Sequence, residues 1–238
     1  MIILSVIRLL FVLFWLCFCC AFSIFIYPFL FLFSVDFNAF GAYLFGSVSQ
    51  KILGLELELE GFDQKLPESY VLVANHQSAL DVVVYAKIYP QNMVCIGKKE
   101  IRWIPFFGWF FWMGGNLFLD RKNQMKSVGA LKSVAAQVRK EKKSVWIFPE
   151  GTRNTSEKPL LPFKKGAFHL AIDAGIPVVP WVSSRTTHLF SSKNFILKSG
   201  KIKIKQLQPI PTTGLTSKDA DSLLQQVREI MLNSMNEL

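Results

Sequence analysis

The sequence predicts an α/β fold: a three-layer domain with a mixed, mainly parallel sheet, behind an N-terminal two-helix membrane anchor. Three observations predict it. Short aliphatic, β-branched runs at 70–74 and 144–147 each end in a polar, Gly- or Pro-punctuated turn, as buried strands do. Segments with apolar residues at helical spacing, such as 123–143, alternate with those runs, the pattern of helices laid over a sheet. Charge divides the chain. Residues 1–50 hold one base, Arg8, and one acid, Asp36, whereas the whole chain has 27 Lys and Arg against 17 Asp and Glu, a net charge of +10. The neutral part, 1–50, is the expected anchor, and the basic part, 51–238, is the expected α/β catalytic domain.

Residues 9–35 carry no charge and are dense in Phe, Leu, Ile and Cys, and a span needs only about 20 such residues. The run exceeds the ~7–15 residues of a signal-peptide core and has no small-residue cleavage site, so it reads as retained. Pro28 lacks an amide hydrogen and divides it. Beyond Pro28, residues 30–50 mix Asp36, Asn38, Gly41 and Gly46 with aromatics, which suits an interfacial or re-entrant helix. The anchor either dips into one leaflet or crosses. Cys17, Cys19, Cys20 and Cys95 form neither a disulfide framework nor a zinc pattern. They read as small apolar residues, in keeping with a reducing cytoplasmic face.

In the second part, 55–60 alternates Leu with Glu and reads as a strand with one wet face, its acids solvated rather than catalytic. Residues 70–74 are a buried strand, and 78–89 a helix with Ser78 as its N-cap. Residues 93–96 form a strand that leads to Lys98 and Lys99. The aromatic run 104–113 fits the core or a lipid-facing or acyl-binding surface equally well. A short strand at 117–119 ends at Asp120 and Arg121. The helix over 123–143 buries Met125, Val128, Leu131, Val134, Ala135 and Val138. A strand at 144–147 and a helix at 166–174 follow, with His169 a packing residue. Residues 176–182 make a proline-bounded buried strand, and His188 lies in a polar loop without a role. The Lys-Ile alternation at 201–205 reads as an edge strand whose lysines discourage pairing, and 219–238 as a closing amphipathic helix. No internal repeat appears.

The chemistry gathers at strand exits. His76 and Asp81 stand five positions apart after the 70–74 strand. On one continuous helix they would point about 140° apart, so they meet only with His76 in the turn and Asp81 in the first helical turn. That would make a base and its orienting carboxylate. Alone, the pattern better fits a surface histidine beside an aspartate that favours a helix start. A second polar turn, Phe148-Pro149-Glu150-Gly151-Thr152-Arg153, follows the 144–147 strand and sets Glu150 and Arg153 at the sheet edge, where open α/β sheets bind ligands. Arg121 ends a third strand, and its guanidinium can bind phosphate through paired hydrogen bonds. No nucleic-acid motif accompanies the positive charge, and no Ser or Cys sits in a nucleophile elbow.

Four blocks then appear in order: Asn75-His76-Gln77-Ser78-Ala79-Leu80-Asp81, Gly115-Asn116-Leu117-Phe118-Leu119-Asp120-Arg121, Phe148-Pro149-Glu150-Gly151-Thr152-Arg153, and Ile176-Pro177-Val178-Val179-Pro180. With Gly97-Lys98-Lys99-Glu100 and Pro162-Phe163-Lys164-Lys165-Gly166 between them, the sequence resembles the 1-acyl-sn-glycerol-3-phosphate (lysophosphatidate) acyltransferases of the glycerolipid acyltransferase family, bacterial type. The resemblance implies acyl transfer from a thioester to the sn-2 hydroxyl of lysophosphatidate, giving phosphatidate, and the lack of a nucleophile elbow makes the expected transfer direct, without an acyl-enzyme. It implies His76 as general base and Asp81 as its orienter. Arg121, Glu150, Gly151, Thr152 and Arg153 fall on the glycerol-phosphate side, together with Lys98 and Lys164. It implies no cofactor beyond acyl-CoA or acyl carrier protein as co-substrate. The expected partners are membrane lipids and lysophosphatidate, with no nucleic acid, at the cytoplasmic face of the cell inner membrane.

One departure stands out, since many relatives have a second arginine shortly after the Gly-Thr-Arg turn, where this chain has Asn154-Thr155. Lys158, Lys164 or Lys165 would then replace that cation. The rival readings are an acyltransferase for another lysolipid or for glycerol 3-phosphate, Ser78 as a nucleophile, and a non-catalytic membrane lipid-binding protein.

Overall fold

The computed structural model describes residues 2–120, 124–191 and 196–238. Three helices, α1 (Ile2–Phe25), α2 (Tyr27–Leu32) and α3 (Phe37–Leu53), precede strands β1 (Leu55–Glu60) and β2 (Val71–Ala74). Next come α4 (Asp81–Ala86), β3 (Met93–Lys98), a 3-10 helix (Lys99–Trp103), α5 (Phe107–Met113) and β4 (Leu117–Leu119). Helix α6 (Gln124–Glu141), β5 (Ser144–Ile147), α7 (Gly166–Ala174) and β6 (Val178–Ser183) follow. The chain closes with β7 (Phe190–Ser191), β8 (Ile196–Leu197), β9 (Gly200–Gln206) and α8 (Ala220–Met235). Seven strands form one sheet in the order β1-β9-β6-β2-β5-β3-β4, and β7 and β8 form a separate hairpin. The sheet is mixed and mainly parallel, as the sequence predicts. The chain divides into two compact units, described in turn.

The first unit comprises Met1–Leu57, Gln77–Phe118 and Arg185–Ile202. Among the described residues α1 is the helix long and apolar enough to cross a membrane. It breaks at Ile26, and Pro28 enters the first turn of α2, where its missing amide hydrogen costs nothing. Asp36 then caps α3: its Oδ1 accepts the Ala39 amide at 2.7 Å and its Oδ2 the Asn92 amide at 2.7 Å. The polar and small residues of the expected interfacial helix are packing devices. Asn38 Nδ2 donates to the carbonyls of Met93 and Gly114, and Gln50 Nε2 donates to those of Val83 and Val84. Gly46 allows α3 so near α4 that a Cβ would come within 2.4 Å of the Lys87 nitrogen. At the other end of the chain, Ser5 of α1 accepts the Leu197 amide at 3.1 Å, which ties α1 to β8.

The second unit comprises Glu58–His76, Leu119–Ser184 and Lys203–Leu238. Strand β2 lies parallel to β5 on one side and β6 on the other, all four of its residues buried. Helix α7 packs on β2, α8 on β6, and α6 on α7. Val134, Ala135 and Val138 are buried as the helical spacing predicts, while the side chains of Met125 and Val128 lie outside the described residues. Pro180 sits inside β6. Its carbonyl accepts the Leu207 amide, just past the end of β9 at Gln206, so its missing N–H falls where the ladder stops.

Two expectations are corrected. Residues 201–205 are not an edge strand, because β9 lies between β1 and β6. Its Ile202 and Ile204 are buried, while its lysines meet the acids of β1, Lys201 to Glu56 at 4.0 Å and Lys205 to Glu60 at 2.8 Å. Cross-strand charge pairing explains the alternation, and β1 forms the edge, with Leu59 45% exposed. Helix α4 is also shorter than expected, Asp81–Ala86 instead of 78–89, and Ser78 lies in the turn before it, where its hydroxyl accepts the Leu80 amide at 3.0 Å while the Asp81 carboxylate accepts the amides of Gln77 and Ser78.

Candidate active site

In the second unit, parallel pairing of β2 with β5, Val73 beside Ile147, brings both strands out at the same end of the sheet. The turn after β2 therefore begins beside the turn after β5. The His76 amide donates to Glu150 Oε1 at 2.8 Å, and the His76 carbonyl accepts the Asn154 amide at 2.7 Å. The imidazole stacks on Phe148, ring centroids 4.1 Å apart and planes 17° apart. Both polar groups of the His76 backbone and one face of its ring are thus set by the Phe148–Asn154 turn.

Glu150 is buried, and its second oxygen, Oε2, accepts the Leu161 amide at 2.8 Å. A carboxylate between two backbone amides braces loops. Glu150, expected on the glycerol-phosphate side, fixes the loop that presents His76 and the loop that leads to Lys164. Asn75, also buried, reaches the other way: Nδ2 donates to the Ser183 carbonyl at 3.0 Å and Oδ1 accepts the Ser183 amide at 2.8 Å. The end of β2 is therefore tied to the end of β6.

Gly151 lies at φ +67°, a conformation that favours glycine, and Lys164 runs across it. A Cβ on Gly151 would lie 2.8 Å from Lys164 Cε and 3.2 Å from its Nζ. The Lys164 amide also donates to the Pro149 carbonyl at 2.8 Å. Thr152, Arg153 and Lys164 are all exposed. Asn154, at the place of the missing second arginine, is buried and spends its side chain on the turn, donating to the Lys158 carbonyl and accepting from the Ser156 amide and hydroxyl. No exposed cation could stand at that position without the turn losing these bonds.

In the first unit, Asp81 is buried, and its Oδ2 accepts the Gln77 amide at 2.6 Å and the Ser78 amide at 3.2 Å. Gln77 Oε1 accepts the Thr186 amide at 3.2 Å, and the Ser78 hydroxyl lies 3.3 Å from that of Thr186 and accepts the Leu80 amide at 3.0 Å. The segment that follows His76 is thus organised around Asp81. Ser78 Oγ is buried and already engaged, a poor start for a nucleophile. Lys98 pairs with Glu100 at 3.6 Å, with both side chains about half exposed. Arg121 lies outside the described residues. Among the described residues no group of three or more His, Cys, Asp and Glu could hold a metal.

Sequence reasoning named Asn75, Phe148 and Asn154 without giving them a structural part in the site, and it did not name Thr186. The two asparagines carried a signal in their type, since asparagine at a strand exit satisfies turn backbone readily. Phe148 and Thr186 carried none.

These blocks can be set beside known proteins. Residues 58–184 match a family model described as Acyltransferase. A 1-acyl-sn-glycerol-3-phosphate acyltransferase of Saccharomyces cerevisiae is 38% identical over 195 residues, which cover 82% of this chain and 64% of the yeast protein. The chain spans just under two thirds of that relative's length. The Escherichia coli protein of the same name is 36% identical over 197 residues, 82% of this chain and 79% of its own. The crystal structure of the 1-acyl-sn-glycerophosphate (LPA) acyltransferase PlsC from Thermotoga maritima superposes with a TM-score of 0.75 at 25% identity, covering 98% of this chain and 97% of that one. With the family model spanning more than half of its length and the fold shared almost end to end, the chain belongs to the acyltransferase family.

Proposed function

We propose that this protein transfers a fatty acyl group from an acyl thioester to the sn-2 hydroxyl of 1-acyl-sn-glycerol 3-phosphate, forming phosphatidate. The observation that carries the reading is the clamp on His76, whose amide and carbonyl are taken by Glu150 and Asn154 while its ring lies on Phe148. A base fixed by its backbone keeps its place through a proton transfer.

His76 removes the proton of the acceptor hydroxyl as that oxygen attacks the thioester carbonyl. The C–S bond then breaks, and the leaving thiolate takes the proton back from the imidazolium. Asp81 sets the tautomer and stabilises the imidazolium. Arg153 and Lys164 hold the acceptor's phosphate, with Arg121 and Lys98 assigned to the same task and Gly151 and Thr152 lending backbone and hydroxyl groups. Lys164 takes over the duty of the second arginine that Asn154 replaces, which its course across Gly151 supports. No metal or prosthetic group enters these steps. Acyl-CoA and acyl carrier protein both suit as donors, since both are acidic and the chain carries +10. The apolar α1 supports membrane association, and we assign the protein to the cytoplasmic face of the inner membrane, where soluble acyl thioesters meet lipid acceptors.

The test is acyl transfer from labelled acyl-CoA or acyl carrier protein to lysophosphatidate by purified protein in lipid, wild type against a folded His76→Ala variant. Labelled phosphatidate from the wild type alone is the expected result. Equal product from both would remove His76 from the chemistry, and product only with a different acceptor would redirect the substrate assignment.

A further inference from the structure

Residues 99–114 of the first unit fold into a tight knob. Pro105, Phe106 and Phe107 make a γ-turn, the Phe107 amide donating to the Pro105 carbonyl at 2.6 Å with Phe106 at φ +58°, ψ −45°. A side chain seldom adopts that conformation, and such strain collects at functional sites. The knob is also closed on itself: the Gly108 amide donates to the Ile104 carbonyl at 2.8 Å, and a Cβ on Gly108 would come within 2.3 Å of the Arg102 carbonyl oxygen. It cannot collapse without breaking these contacts.

One side of α5 enters the core of the unit, with Phe110 against Phe37 at 4.7 Å and Phe111 against Phe118 at 5.2 Å. The other side turns outward. Trp103, Trp109 and Trp112 are 79%, 62% and 66% exposed, and Phe106 lies edge-on to Trp109 at 5.9 Å. The aromatic run is therefore divided between core and surface.

We propose that this knob is a bilayer-contact surface, its Trp103, Phe106, Trp109 and Trp112 bedded at the boundary between lipid headgroups and acyl chains. The occupant follows from the neighbour. Helix α5 packs directly on α1, and α1 turns Leu10, Phe14, Phe25 and other large apolar side chains outward along its length. A lipid phase that covers α1 reaches the adjoining knob. The side chains match that boundary, because indole has an apolar body and a polar N–H and collects at membrane interfaces. Exposed Lys99 and Arg102 in the same segment, with half-exposed Lys98 before it, supply charge for anionic headgroups.

The experiment follows the intrinsic tryptophan fluorescence of the full chain in phosphatidylcholine–phosphatidylglycerol vesicles whose acyl chains are brominated close to the glycerol. Strong quenching that falls by more than half in Trp103→Phe/Trp109→Phe/Trp112→Phe is expected. Undiminished quenching in a variant with native circular dichroism would overturn the proposal, leaving Trp15 of α1 as the quenched residue. Hydroxyl-radical footprinting of the wild type on the same vesicles needs no variant: Trp103, Trp109 and Trp112 should be protected. Oxidation of all three on vesicles refutes the proposal, and so does protection without bromine quenching, which would mean a second copy or another protein covers the knob. Neither readout depends on acyl transfer, so it stands or falls apart from the enzymatic assignment.

Discussion

Glu150 Oε1 accepts the backbone amide of His76 at 2.8 Å, across the gap between two turns that leave parallel strands. The same carboxylate accepts the Leu161 amide through its other oxygen. A glutamate here supplies two acceptors and no donor, which is what two converging N–H groups require. Glutamine has the same shape but presents an NH2 to one of them. Glu150→Gln should therefore lose about 1–3 kcal/mol of stability, the cost of an unsatisfied buried donor. Acyl transfer should fall mainly in kcat, because the His76 amide loses its acceptor while the Lys164 amide keeps its own bond to the Pro149 carbonyl. Steady-state kinetics and a thermal melt check both. A raised acceptor KM with unchanged kcat would instead place Glu150 on the substrate.

Asp81 combines two tasks that substitutions can separate. Its Oδ2 holds the Gln77 and Ser78 amides, and its charge is assigned to the imidazolium that His76 becomes. Asp81→Asn keeps an oxygen for the amides and removes the charge, so kcat should drop about 100-fold or more with a modest change in melting temperature. Asp81→Ala removes both and should also lose about 1–3 kcal/mol of stability. Near-normal kcat in the asparagine variant would show that the charge takes no part.

What the sequence made legible was local. Buried strands announce themselves within a few residues, so β2, β3, β4, β5 and β6 were all located, and the two polar turns followed from where those runs stop. Bonds that join distant segments leave no such trace: Asn75 to Ser183 and Gln77 to Thr186 each link residues more than a hundred positions apart. The Lys-Ile alternation of β9 was read correctly as a strand but wrongly placed at the sheet edge, because period two names the wet face and not the neighbour. The helix expected from Ser78 starts later because the residues before Asp81 form a turn, in which the Ser78 hydroxyl accepts the Leu80 amide and Asp81 accepts the Ser78 amide.

The start of α8 gives a pH test away from the site. The amide and hydroxyl of Thr216 both donate to Asp219 Oδ2 at 2.8 Å, and these bonds hold the Asp219 carboxyl below its ordinary range. A depressed carboxylate contributes stability above the unfolded value, about 3.9, and loses it as pH falls through the folded one. The urea midpoints of wild type and Asp219→Asn should therefore differ most near neutrality and converge as pH drops below about 4. A gap that stays constant with pH would mean the cap does not depend on the carboxylate charge.

Lys164 is the cation most open to a direct test, because its stem lies over Gly151 while its end is exposed. A hydrogen bond to a charged group contributes about 1.5–3 kcal/mol, so Lys164→Ala should raise the acceptor KM roughly tenfold or more. The fold should be unaffected, since the Lys164 amide that donates to Pro149 is retained. Lys164→Arg keeps the charge but must seat a planar guanidinium over the same glycine, and it should recover only part of the loss. An acceptor without phosphate gives the decisive comparison: if the KM for a neutral lysolipid rises as much as that for lysophosphatidate, Lys164 shapes the turn, whereas a penalty confined to lysophosphatidate makes it the phosphate's partner.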